Sequence, residues 1–140
     1  MKTNTYLSFK DTAEAAMTFY SEVFGTPLEA MMRFGDIPGM EMPEPLRNRV
    51  AHVRMALGNN NLMASDSFEG PDSPPYAGMH GFNVQVSLDT PEEAHALFAK
   101  LADGGEITME MQETFWAHAF GSCRDRFGTP WMINCDKPMG

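Results

Sequence analysis

Two stretches of this chain repeat one another: DTAEAAMTFYSEVFG from Asp11 and DTPEEAHALFAKLADGG from Asp89. A shift of 78 positions (89 minus 11) lays Asp11 on Asp89, Thr12 on Thr90, Glu14 on Glu92 and Ala16 on Ala94. The same shift lays Phe19, Tyr20 and Val23 over Leu97, Phe98 and Leu101, at the three-and-four spacing of one helix face. In each copy Asp-Thr reads as an N-cap, with Glu14 or Glu92 three residues after the Asp to complete a capping box. A glycine, Gly25 or Gly104, closes each helix. A chain that writes one helix twice is constrained to fold as two copies of one unit.

The flanking segments extend the repeat. NTYLSFK precedes the first helix and GFNVQVSL the second, where Phe82, Val84, Val86 and Leu88 alternate with Asn83, Gln85 and Ser87. PLEAMMRF and EITMEMQ follow the helices, then the strand pairs VAHVRMAL with NNLMASD and WAHAFGSC with TPWMINC. Ala51-His52 recurs as Ala117-His118, and Leu62-Met63 as Trp131-Met132. The order is β-α-β-β-β, written twice. Residues 1–66 form the first module, 67–80 a linker and 81–140 the second module, together one compact domain. The segments 35–48 and 67–81 hold most of the prolines and follow neither a helical nor a strand period, so both read as loops.

The 19 acidic residues outweigh 10 Lys plus Arg, for a net charge of -9. Such a field repels phosphate backbones, which excludes nucleic acid as a partner. No segment approaches membrane-spanning length and the first residues lack a signal-peptide apolar run, so neither a membrane partner nor secretion is expected. Cys123 and Cys135 flank a turn in a register that holds them apart, and two unpaired thiols fit a reducing, cytoplasmic setting.

SEVFG after the first helix, LMASD on the fourth strand and ETFWAHAFGSCRDRFGTPWMIN near the C-terminus resemble the PhnB-like family. That family lies within the glyoxalase / bleomycin-resistance / extradiol-dioxygenase superfamily, also called vicinal oxygen chelate. The resemblance implies an α+β fold in which two tandem βαβββ modules form a cupped eight-stranded mixed sheet around a cleft. It also implies a homodimer. Some PhnB-like chains carry a ubiquinone methyltransferase label, but this chain has no glycine-rich strand-to-helix turn of the kind a methyl-donor site uses.

Enzymes of the superfamily hold one divalent metal through four His or Glu side chains, one from each of four strands. Carried onto this sequence, those positions fall on Thr5, Met63, Asn83 and Met132. Thioether, hydroxyl and neutral amide groups make a poor set for Zn, Ni, Fe or Mn, so neither metal nor other cofactor is expected.

Other residues suit a cleft. His52 and His118 occupy repeat-related positions and could act as acid–base groups, or simply be hydrogen-bonded strand histidines. Arg54 shares the His52 face and could bind a carboxylate or phosphate, or sit at the rim in an ion pair. Trp116, Phe120 and Phe9 could form an aromatic wall, while Met63 and Met132 would floor the cleft with soft, adaptable surface, and Asn83 and Gln85 would add polar contacts. His80 and His95 read as loop and helix-surface residues. Ser8, Ser65 and Ser122 lack a nucleophile elbow, and no catalytic residue is assigned. Three functions compete: a metal-free binder of a small organic molecule, an enzyme using His52, His118 or Arg54, and a structural or regulatory dimer with a vestigial cleft.

Overall fold

The computed structural model describes residues 1–67 and 74–138. The expected linker at 67–80 therefore falls partly outside the described residues, at 68–73. The chain divides into two compact units, Met1–Ala77 and Gly78–Gly140.

In the first unit β1 (Thr5–Phe9) leads to α1 (Ala13–Phe24) and β2 (Leu28–Arg33), and then to the hairpin of β3 (Val50–Leu57) and β4 (Asn60–Asp66). The sheet order is β1-β4-β3-β2, with β1 parallel to β4 and the other pairs antiparallel. Gly58 makes the tight turn between β3 and β4 at φ 60°, a conformation that costs a side chain strain and a glycine nothing. The segment expected to lack periodic structure is not wholly irregular. A single 3-10 turn at Phe34–Asp36 and a four-residue helix, α2 (Glu44–Arg47), punctuate it. α2 starts after Pro43 and carries Pro45 in its first turn, where a missing amide hydrogen leaves no helical bond unmade.

The second unit repeats the plan with β5 (Val84–Ser87), α3 (Pro91–Ala102), β6 (Glu106–Gln112), β7 (Ala117–Arg124) and β8 (Pro130–Asp136), in the order β5-β8-β7-β6. Each helix packs on one face of its own sheet. Ala13, Ala16, Met17 and Tyr20 of α1 are buried together with Leu7, Phe9, Val53, Met55, Leu62 and Ala64. Ala94, Leu97, Phe98 and Leu101 of α3 are buried with Ala119, Cys123, Trp131 and Ile133. Each large apolar side chain so enclosed contributes about 1.5–3 kcal/mol. The alternation expected before α3 holds only from Val84 onward, because Phe82 precedes β5 and is 44% exposed.

The two helices are capped differently, which corrects the repeat as read from the sequence. In α3 the Thr90 hydroxyl accepts from the Glu93 amide at 3.1 Å, and the carboxylate of Glu93, not Glu92, meets that hydroxyl. In α1 the Thr12 side chain makes no capping bond. Asp66, at the end of β4, accepts from the Ala13 amide at 2.9 Å with one oxygen and from the Val50 amide at 2.8 Å with the other. Asp11 does not cap either. It takes a left-handed φ of 66° and pairs with Arg49.

That left-handed residue has a consequence for register. The helices are offset by 78 positions (Ala13 to Pro91). In the strands Tyr6 stands beside Met63 and Gln85 beside Met132, so once the two methionines are matched the offset is 79 (6 to 85). The first strand-to-helix connection holds one extra residue, and Asp11 is where the backbone absorbs it.

Candidate binding faces and the family

Among the described residues, each sheet has one face packed on its own unit's long helix and a second face on which no helix of that unit packs. On the helix-free face of the first sheet, the register sets Tyr6, Met63 and Arg54 side by side across β1, β4 and β3. His52 lies two residues before Arg54, on the same face. Thr5, by contrast, pairs with Leu62 and shares the helix side with Leu7 and Phe9. The ligand position expected at Thr5 is therefore corrected to Tyr6. The one-residue difference at Asp11 flips the strand's faces relative to a constant 78-residue shift.

His52 is half-buried, and its Nδ1 lies 3.2 Å from the Tyr6 hydroxyl, with the rings 5.7 Å apart. Arg54 lies beside Glu29, Nε to carboxylate 3.3 Å. That contact is an ion pair without hydrogen-bond geometry, since Nε is buried with no acceptor in line.

In the second sheet the helix-free face presents Gln85, Met132, Ser122, Phe120 and Asn134 in cross-strand register. Asn83 stands just before β5, fully on the exposed side of the chain. Phe120 is nearly buried, and Trp116 stacks edge-on against it at 5.5 Å. Phe115, which sequence reasoning missed, stacks edge-on against Trp116 at 4.8 Å and is 90% exposed. Phe9 does not join an aromatic wall. It is core of the first unit, 1% exposed.

His118 does not match His52. Arg54 stands opposite Met63 and Ser122 opposite Met132, an offset of 68 (54 to 122), which puts His52 in register with Phe120. His118 occupies a shift between Ala117 and Ala119, has no partner residue on β8 and is exposed. The shared Ala-His dipeptide misled because the letters match at an offset of 66 (52 to 118) while the ladders match at 68. His80 and His95 are exposed, in a loop and on α3.

Across the strands Tyr6 thus stands beside Met63 and Gln85 beside Met132, with Asn83 just before β5, and a phenol, two thioethers and an amide are not the donors of a His- and Glu-based metal set. Among the described residues no three His, Cys, Asp or Glu side chains gather in a way that could hold an ion. Both cysteines are free and buried, and burial with the nearby Asp125 charge pushes the Cys123 thiol up to about 11.

A polar hollow of about 270 Å³ lies elsewhere in the first unit, lined by Asp11, Glu14, Arg33, Arg49 and Asp66. Its charges are matched internally: Arg33 to Glu14 at 2.7 Å, Arg49 to Asp11, and Asp66 to two backbone amides. These bonds tie the 35–48 segment to α1, since Arg33 also donates to the Asn48 carbonyl at 2.9 Å.

Residues 3–133 match the model of the Glyoxalase/Bleomycin resistance protein/Dioxygenase superfamily. The chain belongs to that superfamily. It is 33% identical to Protein YjdN of Escherichia coli strain K12, over 98% of this chain and 97% of that one. The crystal structure of PA1353 from Pseudomonas aeruginosa matches with a TM-score of 0.86 and 38% identity, covering 99% of each chain. A PhnB protein from Bacillus cereus, which carries a 3-demethylubiquinone-9 3-methyltransferase label, matches with a TM-score of 0.73 and 26% identity over 96% and 99% of the chains. These relatives support placement in the PhnB-like branch, with the α+β fold of two βαβββ modules. Among the described residues no helix is long and apolar enough to cross a membrane.

Proposed function

We propose that this protein binds a small organic molecule on the helix-free faces of its sheets, without the four-ligand metal centre of the superfamily's enzymes. The observation that carries this reading is the chemistry at the ligand positions: Tyr6, Met63, Gln85 and Met132 supply polarizable and amide surface where His and Glu would stand. Half-buried Met63 and Met132, with Phe120 and Trp116 on the second sheet, suit an apolar body of variable shape. The polar residues near them, His52, Arg54, Asn83 and Gln85, with His118 at the β7 bulge, are the candidates for orienting it. The two modules serve as parts of one binding domain, and the protein acts in the cytoplasm as a homodimer, as superfamily members often are. Its two free thiols agree with a reducing compartment. The methyltransferase label of the Bacillus cereus protein is not carried over.

Two measurements test this. Metal analysis of protein purified without chelators should find no stoichiometric transition metal, and a tightly held one-to-one metal would overturn the reading. A thermal-shift screen of small organic molecules should yield ligands that raise Tm, because a ligand held only by the folded form must stabilise it. Hits must weaken in Met63→Ala or Trp116→Ala, and a library without a single hit refutes binding. Light scattering should give twice the 15.6 kDa chain mass.

A second reading, an enzyme, draws on the Tyr6–His52 hydrogen bond, since a phenol–imidazole pair can relay a proton. Turnover separates the two: a binder leaves every ligand that raises Tm chemically unchanged, whereas an acid–base pair converts one and loses that turnover in Tyr6→Phe.

A further inference from the structure

The geometry points to a carboxylate as the group recognised by the first sheet: Tyr6, His52 and Arg54 form an anion-binding subsite over Met63. This inference rests on the ligand-binding reading and names the charge of the ligand.

Three features converge. First, the Tyr6 ring on β1 crosses the intervening strand β4 to reach His52 on β3, because the sheet order is β1-β4-β3. The contact holds the ring in place, and in the tautomer in which the phenol donates to Nδ1 the imidazole proton sits on Nε2, where no described partner takes it. Second, Arg54 stands two residues along the same strand face, and no described hydrogen bond engages its five N–H groups. Its ion-pair partner among the described residues, Glu29, meets Nε at 3.3 Å out of line, and both side chains are more than two-fifths exposed. Such an exposed pair is worth at most about 1 kcal/mol, so a second carboxylate on the free edge of the guanidinium faces little competition. Third, Met63 sits directly between Tyr6 and Arg54 in register, giving an apolar bed for the body of the molecule whose carboxylate those donors hold.

The net charge of -9 opposes an anionic ligand only at long range. At physiological ionic strength that field is screened beyond about 8 Å, whereas a bidentate guanidinium–carboxylate contact acts at about 2.8 Å. Local donors outweigh the global field.

The test titrates the full chain with benzoate, phenylacetate and indole-3-acetate, each against its amine counterpart: benzylamine, phenethylamine and tryptamine. The expected result is a dose-dependent rise in Tm with a carboxylate and none with its amine. Arg54→Gln should weaken the carboxylate by at least about tenfold, as loss of a charge-assisted contact does. Arg54→Lys should recover only part of that, because an ammonium cannot make the forked contact. Glu29→Gln removes the competing carboxylate from an exposed position and should tighten binding, an effect no purely structural role for Arg54 would produce. Preference for the amines, unchanged affinity in Arg54→Gln, or weaker binding in Glu29→Gln overturns the subsite while leaving the binding function intact. Silence from all six probes counts against both.

Discussion

Replacing Asp66 with Ala tests the most specific structural claim made for the first unit. Asp66 is 5% exposed and satisfies two backbone amides, Ala13 at the first turn of α1 and Val50 at the start of β3. A hydrogen bond to a charged acceptor is worth about 1.5–3 kcal/mol, so the two together are worth about 3–6 kcal/mol. The polar hollow beside Asp66 lets water reach the vacated amides, which places the expected loss near the low end, about 3 kcal/mol. That is a large part of the 5–15 kcal/mol typical of a domain, yet the variant should still fold. Urea unfolding with an unchanged slope is the assay. Two controls sharpen it. Thr12→Ala should cost almost nothing, because Thr12 makes no capping bond, while Thr90→Ala should cost about 1 kcal/mol for its bond to the Glu93 amide. If Thr12→Ala costs as much as Thr90→Ala, or Asp66→Ala costs less than Thr90→Ala, the capping assignment is refuted.

Two further outcomes follow from the second unit. Cys123 is 1% exposed with its thiol held up to about 11, so an alkylating reagent at pH 8 should modify it only as fast as the protein opens, and promptly in urea. A folded pKa raised above the unfolded value near 8.5 stabilises the fold below that value, so stability should fall as pH climbs from about 8.5 to 11, and Cys123→Ser should lose that component. Asp125, 3% exposed, accepts from the Phe127 and Thr129 amides and from the Trp131 indole at 2.8 Å. Asp125→Ala should cost at least about 3 kcal/mol and shift the near-ultraviolet circular dichroism of the buried Trp131. Asp125→Asn, which keeps an acceptor, should cost less.

Periodic elements were legible because amphipathic patterns repeat over many residues. Seven of the eight strands and both long helices fall within a residue or two of the segments that alternation and three-and-four spacing mark, while β5 starts three residues after Gly81. What escaped were events one or two residues long. A single left-handed Asp11 changes which side chain of β1 stands beside Met63, and no periodicity in a five-residue strand reports it. The Ala-His dipeptide likewise recurs in letters at an offset of 66, two short of the ladder offset, so Phe120 and not His118 takes the place of His52. The Asp66 cap was hidden for another reason: it joins residues 53 positions apart, and local capping rules look only three or four ahead.

The same small events decide the chemistry of the face. With Thr5 beside Met63, the first sheet would offer a short hydroxyl that cannot span a strand. With Tyr6 there, a phenol reaches across β4 and orients His52, whose free nitrogen lies along the strand from Arg54. The second sheet, in the equivalent places, has Gln85, Phe120 and Ser122, and so lacks the tyrosine, the histidine and the arginine. Two copies of one unit therefore present unlike faces: one carries donors for an anion, the other aromatic and amide surface. This asymmetry arises from one extra residue before α1 together with a handful of side chains, on a backbone plan that is otherwise the same twice.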